Sequence, residues 1–189
     1  ERCPIWTSAT TCNGKATMKY LYFLVDCSGS VVSGDSTLVG QLNDLLRDAA
    51  ERLADMAEDM FVFTYADEAE LYWTYSKEQT FYDIPLDKFG GRSSLGKCYA
   101  AVVNHMATLG VDIADAVLVL VSDGEATDNY KRALEELDPK HKAVRVGLTL
   151  GKVTGTTERH ASSYSLSFNN GFRDREKFLD KLDDLLGLN

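Results

Sequence analysis

Asp26, Ser28 and Ser30 stand at alternate positions in the run Asp26-Cys27-Ser28-Gly29-Ser30. A loop that folds over can aim three side chains so spaced at one point, where they offer a carboxylate and two hydroxyls. A second aspartate, Asp123, lies in Ser122-Asp123-Gly124. Further hydroxyls, Ser93 and Ser94, lie in the glycine-rich stretch Gly90-Gly91-Arg92-Ser93-Ser94-Leu95-Gly96. Two carboxylates held close together repel and need a cation or a proton between them. An all-oxygen set of carboxylates and hydroxyls suits a hard cation, Mg²⁺ or alternatively Ca²⁺ or Mn²⁺. No cysteine-histidine cluster competes for that role. The plain alternative is that these residues only form Asx and Ser turns.

The elements that must gather these residues are written in the hydropathy pattern. Tyr20 to Val25 is apolar throughout, as is Ala116 to Val121, and such runs are strands buried on both faces. The first stops at Asp26 and the second at Ser122-Asp123. In an open parallel sheet, ligands bind beyond the carboxyl ends of the strands where strand order reverses. If these two strands flank that point, Asp26 and Asp123 face each other across it.

Between them, a turn-rich stretch from Ser28 to Ser36 precedes a long amphipathic helix. Its apolar stripe is Leu38, Leu42, Leu45, Leu46, Ala49, Ala50, Leu53, Met56, Ala57 and Met60, and Gln41, Asn43, Asp44, Arg47, Asp48 and Glu51 fill its other face. Phe61 to Tyr65 and Leu71 to Tyr75 read as strands joined by Ala66-Asp67-Glu68. A connection that short demands an antiparallel hairpin, hence an antiparallel edge strand. Helices are expected over about Leu95 to Leu109, near Asn129 to Leu137 and over Phe172 to Leu186. Strands are expected over Ala143 to Leu150 and Ser163 to Phe168. Alternating strands and helices give an α/β fold: an open, mostly parallel sheet of about six strands with helices on both faces.

The chain of 189 residues suits one domain, with 1–17 as an irregular N-terminal extension and 18–189 as the domain. A net charge of −9 argues against a nucleic-acid footprint, which needs clustered Lys and Arg. No apolar run reaches the roughly 18 residues of a membrane span. No signal peptide is visible, although the start at Glu1 leaves an upstream segment open. Cys3 and Cys12 are open to a local disulfide or half a zinc site, although their spacing matches no zinc pattern well, and the expectation is plain thiols, like Cys27 and Cys98. That usage points to the cytoplasm. Cys27 has no histidine near it in sequence and reads as a loop filler rather than a nucleophile. His105, His141 and His160 read as surface residues, and Asp67, Glu68, Glu70, Glu125 and Asp128 as solvated charges.

Asp26-Cys27-Ser28-Gly29-Ser30 resembles the Asp-x-Ser-x-Ser motif of von Willebrand factor A domains. Gly91 to Gly96 is similar to that family's second loop, Gly-Gly-Thr-x-x-Gly, and Ser122-Asp123-Gly124 to its third. The resemblance spans about Met18 to Leu150, with a looser likeness to bacterial tellurite-resistance Y-type proteins. It implies a Rossmann-like fold and an octahedral metal. Ser28, Ser30 and Ser93 would be ligands, Asp26 and Asp123 ligands directly or through water, and one position would stay open for an acidic side chain of a partner protein. The second loop departs from the motif. Anchored on Gly96, the ligand position is Ser93; anchored on Gly90-Gly91, it is Arg92, which cannot ligate a cation. Lys152 to Ser162 also lacks the expected helical pattern. The resemblance implies a metal-dependent protein-binding module and not an enzyme. The alternatives are a Mg²⁺-dependent phosphotransfer or phosphatase enzyme using Asp26, and a metal-free scaffold.

Overall fold

The computed structural model describes residues 20–34, 37–53, 57, 59–75, 79–124, 126–150, 167–168 and 175–186. The expectations for residues 1–17 with Cys3 and Cys12, for Met56, for Glu125, for Lys152 to Ser162 and for His160 lie outside them.

The first apolar run forms β1 (Tyr20–Asp26) and the second β4 (Ala116–Ser122). They pair in parallel, Tyr20 opposite Ala116 through Val25 opposite Val121. β2 (Asp59–Tyr65) pairs in parallel on the other side of β1. β3 (Ala69–Thr74) returns antiparallel on β2 as the sheet edge, with a register shift at Val62/Phe63. β5 (Val144–Thr149) and β6 (Ser167–Phe168) extend the other flank in parallel. The strand order β3-β2-β1-β4-β5-β6 reverses between β1 and β4. The expected six-stranded, mostly parallel sheet with one antiparallel edge is therefore present, and Asp26 and Asp123 border its switch point.

Each strand alternates between two cores, because successive side chains point to opposite faces. Leu21, Phe23 and Val25 join Val117, Val119 and Val121 under α2 (Thr37–Leu53) and α5 (Arg175–Leu186). Tyr22 and Leu24 join Leu118 and Leu120 under α3 (Leu95–Leu109) and α4 (Tyr130–Leu137). A fully buried Leu, Val or Phe side chain adds about 1.5–3 kcal/mol, so both helical layers are held chiefly by these rows. Gly110, in the left-handed region at φ 70°, ends α3.

Some expectations need correction. The stretch after Ser28 contains a short helix, α1 (Gly29–Gly34), because Val31 is drawn into the core. The long helix does not run on to Met60: Ala57 is outside it, and Met60 belongs to β2, fully buried. An apolar residue at the right spacing looks the same in either element. Asn43 is not on a solvated face. It is buried, and its side chain both donates to Ile84 O (3.1 Å) and accepts from Ile84 N (2.9 Å), pinning the long crossing between β3 and α3. His105 is half-buried, ringed by Tyr22, Phe61 and Phe63. Among the described residues, no helix is long and apolar enough to cross a membrane.

Candidate metal centre

β1 ends at Asp26 because the next residues turn away: Cys27 N still donates to Tyr65 O (2.8 Å) on β2. Asp26 itself has no exposed surface. Its carboxylate is satisfied from its own loop, from the second loop and from the end of β4. Oδ1 accepts from Ser28 N (2.9 Å). Oδ2 accepts from Ser93 Oγ (2.8 Å) and from Ser122 Oγ (3.0 Å). Ser28 Oγ lies 3.0 Å from Ser30 Oγ. Asp26, Ser28, Ser30 and Ser93 thus form one connected oxygen cluster. Asp123 follows directly on Ser122 past the end of β4, and its charge acts on Asp26. Burial, with Asp123 adding to it, pushes the Asp26 carboxyl above its ordinary range, against the pull of the Ser28 and Ser93 hydrogen bonds.

The second loop is placed by its backbone. Gly90 N donates to Cys27 O (2.8 Å), and Gly29 N to Gly91 O (3.2 Å), so the first two loops lie edge to edge. Ser94 N donates to Ala66 O (3.0 Å) at the hairpin turn. In this setting Ser93 is buried with its hydroxyl on Asp26, while Arg92 is exposed and its N–H donates to Asp67 Oδ1 (3.1 Å). Of the two registers open in the sequence, the hydroxyl of Ser93 is the group brought to the cluster.

Ser122 is a site residue that the sequence reading left out. Its hydroxyl also accepts from Gly124 N (3.0 Å), so it shapes the third loop as it holds Asp26. The signal was its place at the end of an apolar strand, beside Asp123. Asp67 is exposed, as expected of a solvated charge, and also accepts from Arg92 N of the second loop, while Asp128 is half-buried and accepts from backbone N–H groups of α3. Glu68 and Glu70 pair with Lys97 and Lys88.

The cluster offers oxygen donors of both kinds that a hard divalent cation takes, carboxylate and hydroxyl, and no soft donor. Cys27, beside it, is buried, and burial and then the charge of Asp26 push its thiol pKa far up, so it stays protonated. Among the described residues, no group of three or more His, Cys, Asp or Glu side chains is disposed to hold a metal.

No protein-family model and no curated protein matches the chain. Solved structures do. Proximal thread matrix protein 1 from the mussel byssus aligns at TM-score 0.70 and 13% identity, over 89% of this chain and 48% of that one. It has also been solved with a zinc occupied MIDAS motif. The manganese-loaded TRAP protein of Plasmodium vivax aligns at 0.66 and 15% identity, over 90% and 74%. A von Willebrand factor type A protein from Catenulispora acidiphila aligns at 0.66 and 16% identity, over 91% and 43%. The chain spans about half the length of the mussel protein. At such identities the likeness is one of fold.

Proposed function

We propose that this chain, which has the von Willebrand factor A fold, is a protein-binding module that works through a divalent cation held by Asp26, Ser28, Ser30, Ser93 and Asp123. The observation that carries the reading is the buried Asp26 carboxylate, gripped by hydroxyls from the second loop and from the end of β4 at the switch point of the sheet. The serine oxygens would face the cation, and the two aspartates would offset its charge. An acidic side chain from a partner protein would complete the shell. Mg²⁺ is the ion this hard donor set favours. Manganese in the Plasmodium protein and zinc in the mussel protein speak for divalent charge rather than for one element.

A binding role without catalysis is part of the proposal. An aspartate at a strand end with Mg²⁺ also suits phosphotransfer, but that chemistry wants a second acid beside the nucleophile, and Ser28 stands there. Cys27 is buried, and burial pushes its thiol pKa up, which does not suit a nucleophile.

The test is a thermal melt with Mg²⁺ and with EDTA beside an affinity capture of partners under both conditions. At about 100 times its Kd, a cation that prefers the native state adds about 2.7 kcal/mol. For a chain of this size that is roughly 5–10 °C of Tm. Asp26→Ala should fold, since β1 is held by its apolar rows, and should lose both the shift and the partner. A wild type indifferent to EDTA in both measurements leaves a metal-free scaffold, and phosphatase or autophosphorylation activity replaces the binding reading with an enzyme.

A further inference from the structure

The second loop supplies Ser93, yet nothing within the loop explains why that hydroxyl faces Asp26. The fixing points lie outside it. Asp128, six residues beyond Ser122 at the start of the third loop, brings its carboxylate to the first turn of α3. Oδ1 and Oδ2 accept from Gly96 N at 3.0 and 2.8 Å, and Oδ2 also from Lys97 N at 3.3 Å. Thr127, next to it, donates to Ser93 O twice, from its N–H (2.8 Å) and from its hydroxyl (3.0 Å). From the opposite side, Asp67 in the hairpin turn accepts from Arg92 N (3.1 Å). The stretch from Arg92 to Lys97 is therefore gripped at both ends and in the middle, by side chains from two other loops.

The fit around these carboxylates is close. Gly91 sits at φ +72°, and a Cβ there would meet Asp67 Oδ2 at 2.2 Å. A Cβ on Gly96 would meet Asp128 Oδ2 at 2.9 Å and the backbone of Tyr130 at 3.4 Å. The two glycines admit the two acids to backbone N–H groups that a side chain would cover.

We infer that Asp128, with Thr127, is a positioning residue for the cation site: it ties the third loop to the start of α3 and so sets the register in which Ser93 meets Asp26. This rests on the cation reading above. Asp128 touches none of the cation's donors in this role; it acts through the backbone of Gly96 and Lys97 and, through Thr127, the carbonyl of Ser93. The acid also lies across the N-terminal end of α3, where its charge is favoured. That placement holds it on the amides while leaving the oxygens of Asp26, Ser28, Ser30 and Ser93 to one another.

The experiment is Mn²⁺ binding to the full chain, read by the loss of its free EPR signal, beside melting in EDTA. Asp128→Ala should weaken Mn²⁺ by about 10–100-fold, the usual cost of losing a group that orients ligands. Asp128→Asn keeps an acceptor oxygen without the charge and should recover most of that loss. Gly96→Ala keeps the charge but crowds the carboxylate off the amides, and should weaken Mn²⁺ as Asp128→Ala does. Should Asp128→Ala fail to fold, Gly96→Ala and Asp128→Asn carry the same test. Wild-type affinity in Gly96→Ala, or in Asp128→Ala, overturns the inference. So does an Asp128→Asn variant as weak as Asp128→Ala, since the acid then acts by charge. A wild type that binds no Mn²⁺ is a different failure, that of the cation reading itself.

Discussion

A carboxylate with no exposed surface survives in a fold only where other groups replace its lost water. For Asp26 the replacements are Ser28 N, Ser93 Oγ and Ser122 Oγ. Removing one should be felt by whatever the carboxylate holds. Ser93→Ala deletes a hydrogen bond and an oxygen donor together, and should weaken Mg²⁺ at least about tenfold, some 1.4 kcal/mol. Arg92→Ala, on an exposed side chain, should leave the affinity unchanged or slightly tighter, since a nearby positive charge goes. Isothermal titration of both variants checks this; a damaging Arg92→Ala beside a harmless Ser93→Ala would restore the other register. Asp26, Ser28, Ser30 and Asp123 were legible as candidates because they are crowded into short strand-end motifs. The bond from Ser122 was not, nor was the role of Asp128. Contacts across 96 and 32 residues leave no trace in local spacing.

Helices that pack on this sheet differ in how they are fastened. α5 lies against the first core with Phe178, Leu179, Leu182 and Leu186 buried. It is also tied to α2 through Arg52, which pairs with Glu176, Asp180 and Asp183. The pairs to Glu176 and Asp180 are exposed and contribute little, whereas Asp183 is buried and accepts from Arg52 Nε at 3.0 Å. Leu182→Ala is expected to cost about 2–5 kcal/mol in urea denaturation, and Arg52→Ala should also lower the midpoint, because it leaves the buried Asp183 carboxylate without its cation. α3 is fastened in part by an imidazole. His105 meets the rings of Phe61, Phe63 and Tyr22, with Tyr22 Oη 3.4 Å from Nδ1. Burial lowers its pKa from the ordinary 6.5, with Asp59 opposing. A folded pKa below the unfolded one means the stabilising contribution is complete above pH 6.5 and is lost as pH falls through the lowered folded value. Wild type should therefore lose Tm relative to His105→Phe between about pH 7.5 and pH 5; parallel curves would discount the imidazole. The strands were readable as elements because β1 and β4 are apolar at every position before their last residue, which few helices are. The end of α2 was not, since Met60 keeps the helical spacing while standing in β2. α1 hid for the opposite reason, a turn-like composition carrying one buried Val31.

At the scale of the whole molecule, chain order fixes where the loops meet. A hairpin too short for a crossover and apolar runs too long for edge strands leave few ways to wind the sheet, so the switch point between β1 and β4 could be foreseen. What composition could not tell is that one carboxylate would bind the ends of the sheet's central strands together. The Asp26–Ser93 and Asp26–Ser122 bonds close loops of 67 and 96 residues, and β1 pairs with strands on either side that come from distant parts of the chain. Closures that long form late, once most of the sheet is in place. A cation that needs all of them has nothing to bind on the way up the folding barrier. It should act on the way down. In a stopped-flow chevron, saturating Mg²⁺ should leave the folding limb where EDTA leaves it and slow unfolding by about 100-fold at 100 times Kd. A folding limb that quickens instead would mean the loops close early. With the limbs as expected, the metal is a latch: it decides how long the protein stays folded and has no say in how soon it gets there.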